Sequence, residues 1–324
     1  MSVGKGVRTD VRTDVFDVGT YLDRIGCGEE NAVDIETLRK LHKRHLMTIP
    51  YNGAGQDLRD GIRLVDLDDD ALFERCVLDG QGGTCFELAR LFHRLLRELG
   101  YDVTLLAGST AEGRENFGLD VEHMFNLVSL DGREWLLDVG YPGPNYIEPL
   151  LVSDRVQSQY GCQYRLVGRG RETGGGREPG QGTGPEPGFA LQRRGRVSRW
   201  SVVYTFTLTP RRWSDWQELE DHLNRAYASL AADDATASGM TSDNPAEACP
   251  IARGTDRVFQ DIEADTRAHD GQDVLCGRAL DNGQVVMKGR RCLTVRNGRE
   301  EVRTITDDDE QRDLIDRILT GAFH

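Results

Sequence analysis

The sequence lacks any apolar run long enough to cross a membrane, and its first residues do not form the apolar core of a signal peptide. They lead instead into a polar repeat at 7–14. Its seven cysteines include no CxxC pair, which is poor material for a disulfide framework or a zinc site. These absences predict a cytoplasmic protein in a reducing compartment, without membrane contact or a bound metal.

Positive charge is also scarce. Lysine and arginine together number 40 against 54 aspartates and glutamates, and the resulting formal net charge of −14 disfavours nucleic acid as a partner. What the chain does have is length and apolar content. With 324 residues, 38% of them hydrophobic, it can bury a substantial core and form two or three domains.

A cysteine stands where a helix is expected to begin. The segment Gly82-Gly83-Thr84-Cys85-Phe86-Glu87 leads into apolar residues that repeat with helical period as far as Gly100. Backbone amides at a helix start stabilise a thiolate, which is the nucleophilic form of cysteine, and the glycines leave room for a substrate. We therefore interpret Cys85 as a candidate nucleophile, although a lone cysteine beside glycines is more often a small core residue.

A nucleophilic thiol needs a base, and the base needs a third group to orient it. Asp131-Gly132 lies between two apolar segments and predicts a two-residue hairpin turn. In that register Asp138 opposes Phe125, and His123 lies two residues further on the same face, about 7 Å from Asp138 at the backbone. An imidazole and a carboxylate can span this distance. A three-residue turn would instead place the two on opposite faces.

Each candidate also has a simpler interpretation. Taken alone, His123 could be a hydrogen-bonded core histidine, and Asp138 could begin a turn. Their occurrence together with Cys85 is what favours catalysis. A second histidine motif, His42 and His45 on one predicted helix, lacks a third ligand nearby, so packing or a surface position explains it better than a metal.

The order of elements predicts an α+β fold with three parts. Helical periodicity dominates residues 1–100, where Asp34 is expected to cap a helix from Ile35 to Met47. Alternating apolar segments then predict an antiparallel sheet or barrel over residues 101–209. The remaining residues, 210–324, are expected to combine helices and strands.

Two features of the second half depart from this regular pattern. Residues 168–188 are crowded with glycine and proline, which predicts a mobile, disordered insert in the β region. Around it, residues 165–199 hold eight arginines against three glutamates; this stretch is either a solvated insert or a contact surface for phosphates or an acidic partner.

Two helices are predicted in the last third of the chain. Ser214 is expected to cap a helix that reaches Leu230, and residues 306–309 are expected to cap a final helix.

The candidate site residues and the motifs around them resemble those of the arylamine N-acetyltransferase family. The resemblance extends over nearly the whole chain and is carried by Ile49-Pro50-Tyr51, Gly82 to Glu87, His123-Met124, Asp131-Gly132, Asp138 to Tyr141 and Pro149-Leu150. It implies a helical domain, an antiparallel β-barrel domain and a C-terminal α/β lid. It also implies a cysteine-protease-like triad of Cys85, His123 and Asp138.

The resemblance further implies a ping-pong reaction. The triad would take an acyl group from a coenzyme A thioester, acetyl-CoA or another, and pass it to an aromatic amine or hydrazine, with no tightly bound cofactor. Matched by motif position, the acceptor pocket would be lined by Tyr51, Phe125, Tyr141 and Phe206. The turn that contains Gly140 and Gly143 would lie near the pantetheine and phosphates.

Departures from the family pattern concern the substrate. Gln81 stands where a basic residue is usual, Tyr51-Asn52-Gly53 replaces Phe-Glu-Asn, and the turn 140–143 carries a proline. They keep open a related branch, amide synthases that form amides and macrolactams from acyl groups held on polyketide carrier proteins. Such carriers are acidic, so the arginine-rich stretch could dock one.

Two further classes share parts of the pattern. A transglutaminase-like peptidase or amidase has the same order of cysteine, histidine and aspartate, but the motifs that flank all three residues favour the transferase. A binding module that kept the fold and lost the reaction would be supported by loss of a triad member, and all three are present.

Overall fold

The computed structural model describes residues 15–28, 30, 32–54, 61–110, 120–169, 188–225, 228 and 274–323. These residues form helices packed around two antiparallel sheets. No helix among them combines the length and the apolar character needed to cross a bilayer. The six cysteines that they include are free, and they contain no group of three His, Cys, Asp or Glu side chains that could hold a metal ion.

Up to residue 100, the described part of the chain forms helices and one very short strand. The elements are α1 (Val18–Arg24), α2 (Ile35–Thr48), β1 (Tyr51–Asn52), α3 (Asp69–Leu72), a π-helix (Phe73–Leu78) and α4 (Cys85–Glu98). Helix α2 begins as predicted, because the Asp34 carboxylate accepts the Thr37 backbone N–H at 2.8 Å. Helix α3 and the π-helix were not predicted from the sequence.

The larger sheet has eight strands and forms a nearly closed barrel. Its strands are β2 (Asp102–Thr110), β3 (His123–Leu130), β4 (Arg133–Leu137), β5 (Leu150–Leu151), β6 (Gln157–Gln159), β7 (Cys162–Arg169), β8 (Gly188–Arg194) and β9 (Ser201–Phe206). They follow the order β5-β4-β3-β2-β9-β8-β7-β6. The predicted hairpin is confirmed: Leu130 pairs with Arg133, and Asp131 and Gly132 have φ of 52° and 70°, as a type I′ turn requires.

Two glutamine side chains join the outer strands of this barrel. The Gln157 amide accepts the Leu151 backbone N–H at 2.9 Å and donates to the Leu151 carbonyl at 2.8 Å. The Gln159 amide does the same for Glu148, at 3.1 and 2.8 Å. Because a side-chain amide carries the same donor and acceptor as a peptide group, these glutamines replace a missing backbone ladder between β5 and β6.

The smaller sheet contains β1 and four strands near the C-terminus. These are β10 (Leu275–Leu280), β11 (Gly283–Lys288), β12 (Arg291–Arg296) and β13 (Arg299–Thr304), in the order β1-β10-β11-β12-β13. Tyr51 pairs with Gly277, so residues predicted to be a helical domain contribute a strand to the C-terminal sheet. Sequence patterns over a few neighbouring residues cannot reveal a pairing between residues this far apart in the chain. The division of the chain at residues 100 and 209 stays a prediction.

The segments around Ser214 and around 170–187 differ from the sequence predictions or lie partly outside the described residues. Ser214 does not cap a helix but lies inside a 3₁₀ turn, Trp213–Trp216, which the Asp215 carboxylate fixes by accepting the Arg212 N–H. Helix α5 follows at 217–225, and the predicted end of this helix falls outside the described residues, apart from 228. Most of the predicted insert, 170–187, also lies outside them, while β7 continues through Arg169 and β8 begins at Gly188. The final helix, α6 (Asp308–Thr320), is capped by Asp307, within the predicted segment.

A buried arginine ties the ends of two helices together. Arg278, on β10, donates to the Met47 and Thr48 carbonyls at the end of α2, at 2.7 and 2.8 Å. It also donates to the carbonyls of Ile318 and Leu319 at the end of α6. Burial and the nearby Arg24 lower the pKa of Arg278 to about 10, so the guanidinium remains charged at neutral pH. A cation at helix C-termini is favourable because their free carbonyls are partially negative.

The turns of three hairpins, β6–β7, β8–β9 and β12–β13, meet where the barrel touches the smaller sheet. A Cβ added to Gly161 would lie 2.2 Å from the Asn297 carbonyl oxygen, and one added to Gly298 would lie 2.1 Å from the Gly161 oxygen. A Cβ on Gly195 would lie 2.7 Å from the Gly298 oxygen. Backbones approach this closely only where no side chain intervenes. Only glycine therefore fits at these three positions.

Candidate active site

Cys85 is the first residue of α4, as predicted. Thr84 caps the helix, and its backbone N–H donates to the Glu87 carboxylate at 2.8 Å. Glu87 is buried and pairs with Arg75. These contacts fix the entry to the helix, so the Cys85 side chain, in a residue only 6% exposed, is held close to the partially positive N-terminus of α4.

His123 and Asp138 form the pair predicted from the hairpin register. His123 Nε2 and Asp138 Oδ2 are 2.8 Å apart, and both residues are buried. A carboxylate only accepts hydrogen bonds, so the imidazole Nε2 carries the proton. The other oxygen, Oδ1, accepts the Gly140 backbone N–H at 3.1 Å. The Nδ1 of His123 then has the lone pair that a base requires.

Gly140 brings this pair close to the cysteine. A Cβ added to Gly140 would lie 2.5 Å from Cys85 Cα and 2.9 Å from Cys85 Cβ. The backbone two residues after Asp138 therefore rests directly on the start of α4. This contact joins the predicted nucleophile to the carboxylate that is predicted to orient the base, whereas the direct pairing of Cys85 with His123 stays a prediction.

Aromatic rings surround the imidazole. The His123 ring centre lies 5.7 Å from that of Phe125, 5.4 Å from Tyr141 and 5.2 Å from Tyr204. Phe206, in turn, packs edge-on against Phe125 at 5.4 Å. Of the residues expected at an acceptor pocket, Phe125, Tyr141 and Phe206 thus lie in one cluster around His123, while Tyr204 was missed.

The other predicted binding residues lie on neighbouring backbone. Tyr51 is buried and forms a bridge with Gly83, two residues before Cys85. Gly143 lies in the same segment as Gly140, between Asp138 and Asn145. Position 140 requires glycine because a Cβ there would collide with the Cys85 backbone. The contact of Gly140 and Gly143 with a thioester stays a prediction.

His42 proves to be a second histidine that contacts the site. The Asp138 backbone N–H donates to His42 Nε2 at 3.0 Å, and burial lowers the pKa of His42 to about 4, so the ring is neutral at physiological pH. Its neighbour His45 contacts the Tyr21 hydroxyl, and burial lowers its pKa to about 3. The sequence showed both on one helix but not that His42 reaches a residue 96 positions away.

Asn145 was also missed. Its side-chain amide lies 2.8 Å from Asp138 Oδ2, the oxygen that His123 contacts. It follows a turn rich in glycine and proline, where no periodic pattern indicates which side chains turn inward. Its backbone N–H donates to Gln284 of β11, so the smaller sheet also contacts the site indirectly.

Comparison with known proteins shows the family to which this chain is related. A family model described as N-acetyltransferase matches residues 34–248. Proansamycin X synthase from Amycolatopsis mediterranei is 55% identical over 95% of this chain and 98% of its own length. Arylamine N-acetyltransferase from Escherichia coli is 32% identical over 60% of this chain and 63% of its own.

Solved structures show the same fold. Mycobacterium marinum arylamine N-acetyltransferase has a TM-score of 0.66 and 24% identity, over 94% of this chain and 93% of that one. The structure of that enzyme in complex with CoA has a TM-score of 0.64 over the same shares, with 23% identity. On the family match and the close relative, the chain belongs to the arylamine N-acetyltransferase family of acyl-transferring enzymes.

Proposed function

We propose that this enzyme transfers an acyl group from a thioester to an amine through an acyl-cysteine on Cys85. The observation that carries the proposal is the buried 2.8 Å contact between His123 and Asp138, joined to the start of α4 through Gly140. A proton acceptor, the group that orients it and a thiol at a helix N-terminus are what covalent acyl transfer by cysteine requires.

The proposed reaction has two halves. His123 Nδ1 takes the Cys85 proton, and the thiolate attacks the donor carbonyl, forming a new carbon–sulfur bond. The tetrahedral intermediate collapses, and the donor thiol leaves with the proton from His123. An amine then attacks the acyl-cysteine, His123 takes its proton, and Cys85 is released as the amide forms. The Cys85 backbone N–H, at the helix start, is our proposed donor to the oxyanion.

The aromatic cluster and the turn divide the proposed binding roles. Phe125, Tyr141 and Phe206, with Tyr51 nearby, would contact an apolar or aromatic acceptor. Gly140 and Gly143 would lie along the donor chain. These steps use only side chains and backbone groups of this protein, so the proposal includes no tightly bound cofactor, and the acyl thioester is a co-substrate.

Two forms of the proposal differ in the donor. In the first, acetyl-CoA or another acyl-CoA is the donor and an arylamine or hydrazine the acceptor, in line with the E. coli relative. In the second, the chain is an amide synthase that takes a polyketide acyl group from a carrier protein. The 55% identity to proansamycin X synthase, over nearly the whole of both chains, favours the second form.

An arginine-rich surface supports docking of an acidic carrier. Arg165 and Arg194 both stack on Trp200, with their guanidinium carbons 4.2 and 4.8 Å from the ring centre. In the turn between β8 and β9, Arg196 and Arg199 are exposed, and Val197 is 92% exposed. Strand β9 leads from this turn to Tyr204, beside His123. Such a surface on a chain with a net charge of −14 fits an acidic protein partner.

Intact-mass measurement tests the covalent step. Wild-type protein incubated with acetyl-CoA, or with longer acyl thioesters, should gain one acyl group in the absence of an amine. Cys85→Ala should gain none, and Cys292→Ala, which changes a buried cysteine of the smaller sheet, should behave as the wild type. An unmodified wild type with every donor would contradict the proposal and favour a binding module.

The donor preference tests the second form. Arg194→Glu should slow acylation by an acyl carrier protein that bears an acetyl thioester and leave acylation by a small acetyl thioester unchanged. Arg303→Glu, a change of an exposed arginine on β13, is the matched control. Equal loss with both donors, or loss with neither, would contradict carrier docking at this surface.

A further inference from the structure

Asn145 contacts the proposed catalytic carboxylate at the oxygen that the Gly140 N–H does not bind. Its Nδ2 donates to Asp138 Oδ2 at 2.8 Å, and the residue is only 4% exposed. The orientation of the amide follows from chemistry, because the group that faces a carboxylate oxygen must be a donor. Asn145 and His123 thus share one oxygen of Asp138.

Both sheets hold the backbone of Asn145. Its N–H donates to Gln284 Oε1 on β11 at 2.7 Å, and its carbonyl accepts the Tyr164 hydroxyl on β7 at 2.9 Å. Gln284 and Tyr164 are themselves buried. The Asn145 side chain is therefore presented to Asp138 by one contact from the smaller sheet and one from the barrel.

The carboxylate needs this second contact for a physical reason. Rotation about the last side-chain bond of aspartate is soft, so a buried carboxylate can exchange its two oxygens unless both are held. Gly140 holds Oδ1 at 3.1 Å, and His123 binds Oδ2. A second donor on Oδ2 keeps that oxygen in place when the imidazole moves or changes its charge during the reaction.

We propose that Asn145 is a positioning residue, which holds Asp138 Oδ2 toward His123 and makes the smaller sheet, through Gln284, part of the support of the triad. The proposal rests on the proposed function of Cys85, His123 and Asp138. Asn145 touches neither the thioester nor the amine in this scheme. It should therefore affect the rate of acyl transfer and not the binding of the donor.

Other titratable groups that face Asp138 stay constant near neutral pH. His42 of α2 is neutral because burial lowers its pKa to about 4. Tyr146, which follows Asn145 in the chain, and Tyr204 of β9 stay protonated because burial raises their pKa values well above the usual range. Tyr164 of β7, which contacts the Asn145 carbonyl, also stays protonated because burial raises its pKa. His123 contacts the carboxylate directly and is present in every variant described below.

Two substitutions separate positioning from packing. Asn145→Ala removes the donor, and we expect the rate constant of Cys85 acylation at saturating acetyl-CoA to fall roughly 10- to 100-fold, with the half-saturating concentration unchanged. Asn145→Asp keeps the shape but places a carboxylate against Asp138. At mildly alkaline pH it should lose activity as the alanine variant does. As the pH falls, the two carboxylates take up a shared proton, a donor is restored, and the rate relative to wild type should rise.

The control is Gln311→Glu, an amide-to-acid exchange at another buried position, on α6, away from Asp138. It should show neither the loss nor the recovery. Wild-type acylation rates in Asn145→Ala would overturn the proposal, as would an Asn145→Asp variant whose relative rate does not change with pH. If wild-type protein forms no acyl adduct with any donor, the proposed function fails instead. Should Asn145→Asp not fold, the alanine variant alone decides, since it introduces no charge.

Discussion

The two sheets of this molecule differ in whether their edge strands are covered. In the barrel, Gln157 and Gln159 link the outer strands, so little of the β5 and β6 backbone is left open. In the smaller sheet, β13 remains an edge with mostly exposed, charged side chains, which discourages pairing with other chains. The closed sheet carries His123, whereas the open sheet contributes support through Gln284 and Arg278. His123 and Asp138 thus lie on, or directly beside, the sheet whose outer strands are linked to each other.

The largest effect is expected in the closed sheet, from Asp138→Asn. The change keeps the shape but removes the charge that fixes the His123 tautomer, so the rate of Cys85 acylation should fall about 10⁴-fold. Rapid-mixing mass spectrometry measures it. The control is Asp131→Asn at the hairpin turn, where φ is 52° and asparagine is well tolerated. A variant at position 138 as fast as wild type would contradict the assignment.

In the open sheet, Arg278→Leu should reduce stability and not chemistry. Losing a buried cation leaves four carbonyls of α2 and α6 without their donor, and the free energy of unfolding should fall by about 3 kcal/mol. Urea unfolding measures the loss. Arg303→Leu, which removes an exposed ion pair with Glu310, should cost less than about 1 kcal/mol. A slower acylation rate in folded Arg278→Leu would show that the open sheet does more than support.

Gly140→Ala tests the contact between the barrel and α4. The new Cβ would lie 2.5 Å from Cys85 Cα, so the backbone of one segment must shift. A displacement of this size near the reacting atoms should reduce the acylation rate roughly 100-fold. Gly168→Ala on β7 is the matched control, because a Cβ there meets nothing within 4 Å and the backbone at this position is not in the left-handed region. Equal rates in the two variants would argue against the contact.

The smallest effect is expected at the barrel seam. Gln157→Leu removes two hydrogen bonds to Leu151 and should lower the free energy of unfolding by about 1–2 kcal/mol, with no change in acylation rate. Ser158→Ala, at the exposed neighbour, should leave stability unchanged. A seam variant as stable as wild type would mean that closure adds little, and the contrast between the sheets would weaken.

Local chemistry made part of this structure predictable. Asp131-Gly132 fixes the hairpin register, and side chains alternate along a strand, so the meeting of His123 with Asp138 follows from a few residues. The same is true of the start of α4 at Cys85, where glycines and a capping pair precede an apolar stripe. The order of predicted helices and strands also gave an α+β fold with an antiparallel sheet or barrel after the first helices, and the resemblance to a family added the barrel and lid domains.

What could not be predicted depends on contacts between distant parts of the chain. Tyr51 pairs with Gly277, and His42 contacts Asp138, yet no pattern in the local sequence indicates either pair. Asn145 lies in an irregular turn, where side-chain direction is set by tertiary contacts alone. Ser214 had the right residue type for a cap, but the Asp215 carboxylate formed a tighter turn just before the helix.

The glycines at the three meeting hairpin tips limit how this enzyme can be recombined with its relatives. Gly161 belongs to the barrel and Gly298 to the smaller sheet, and each leaves space for the backbone of the other. A chimaera that takes the two sheets from different parents will fit together only if both parents keep glycine there. Acceptor-specific variants are therefore best assembled by exchanging loops around the aromatic cluster while the barrel and the smaller sheet are inherited as one piece.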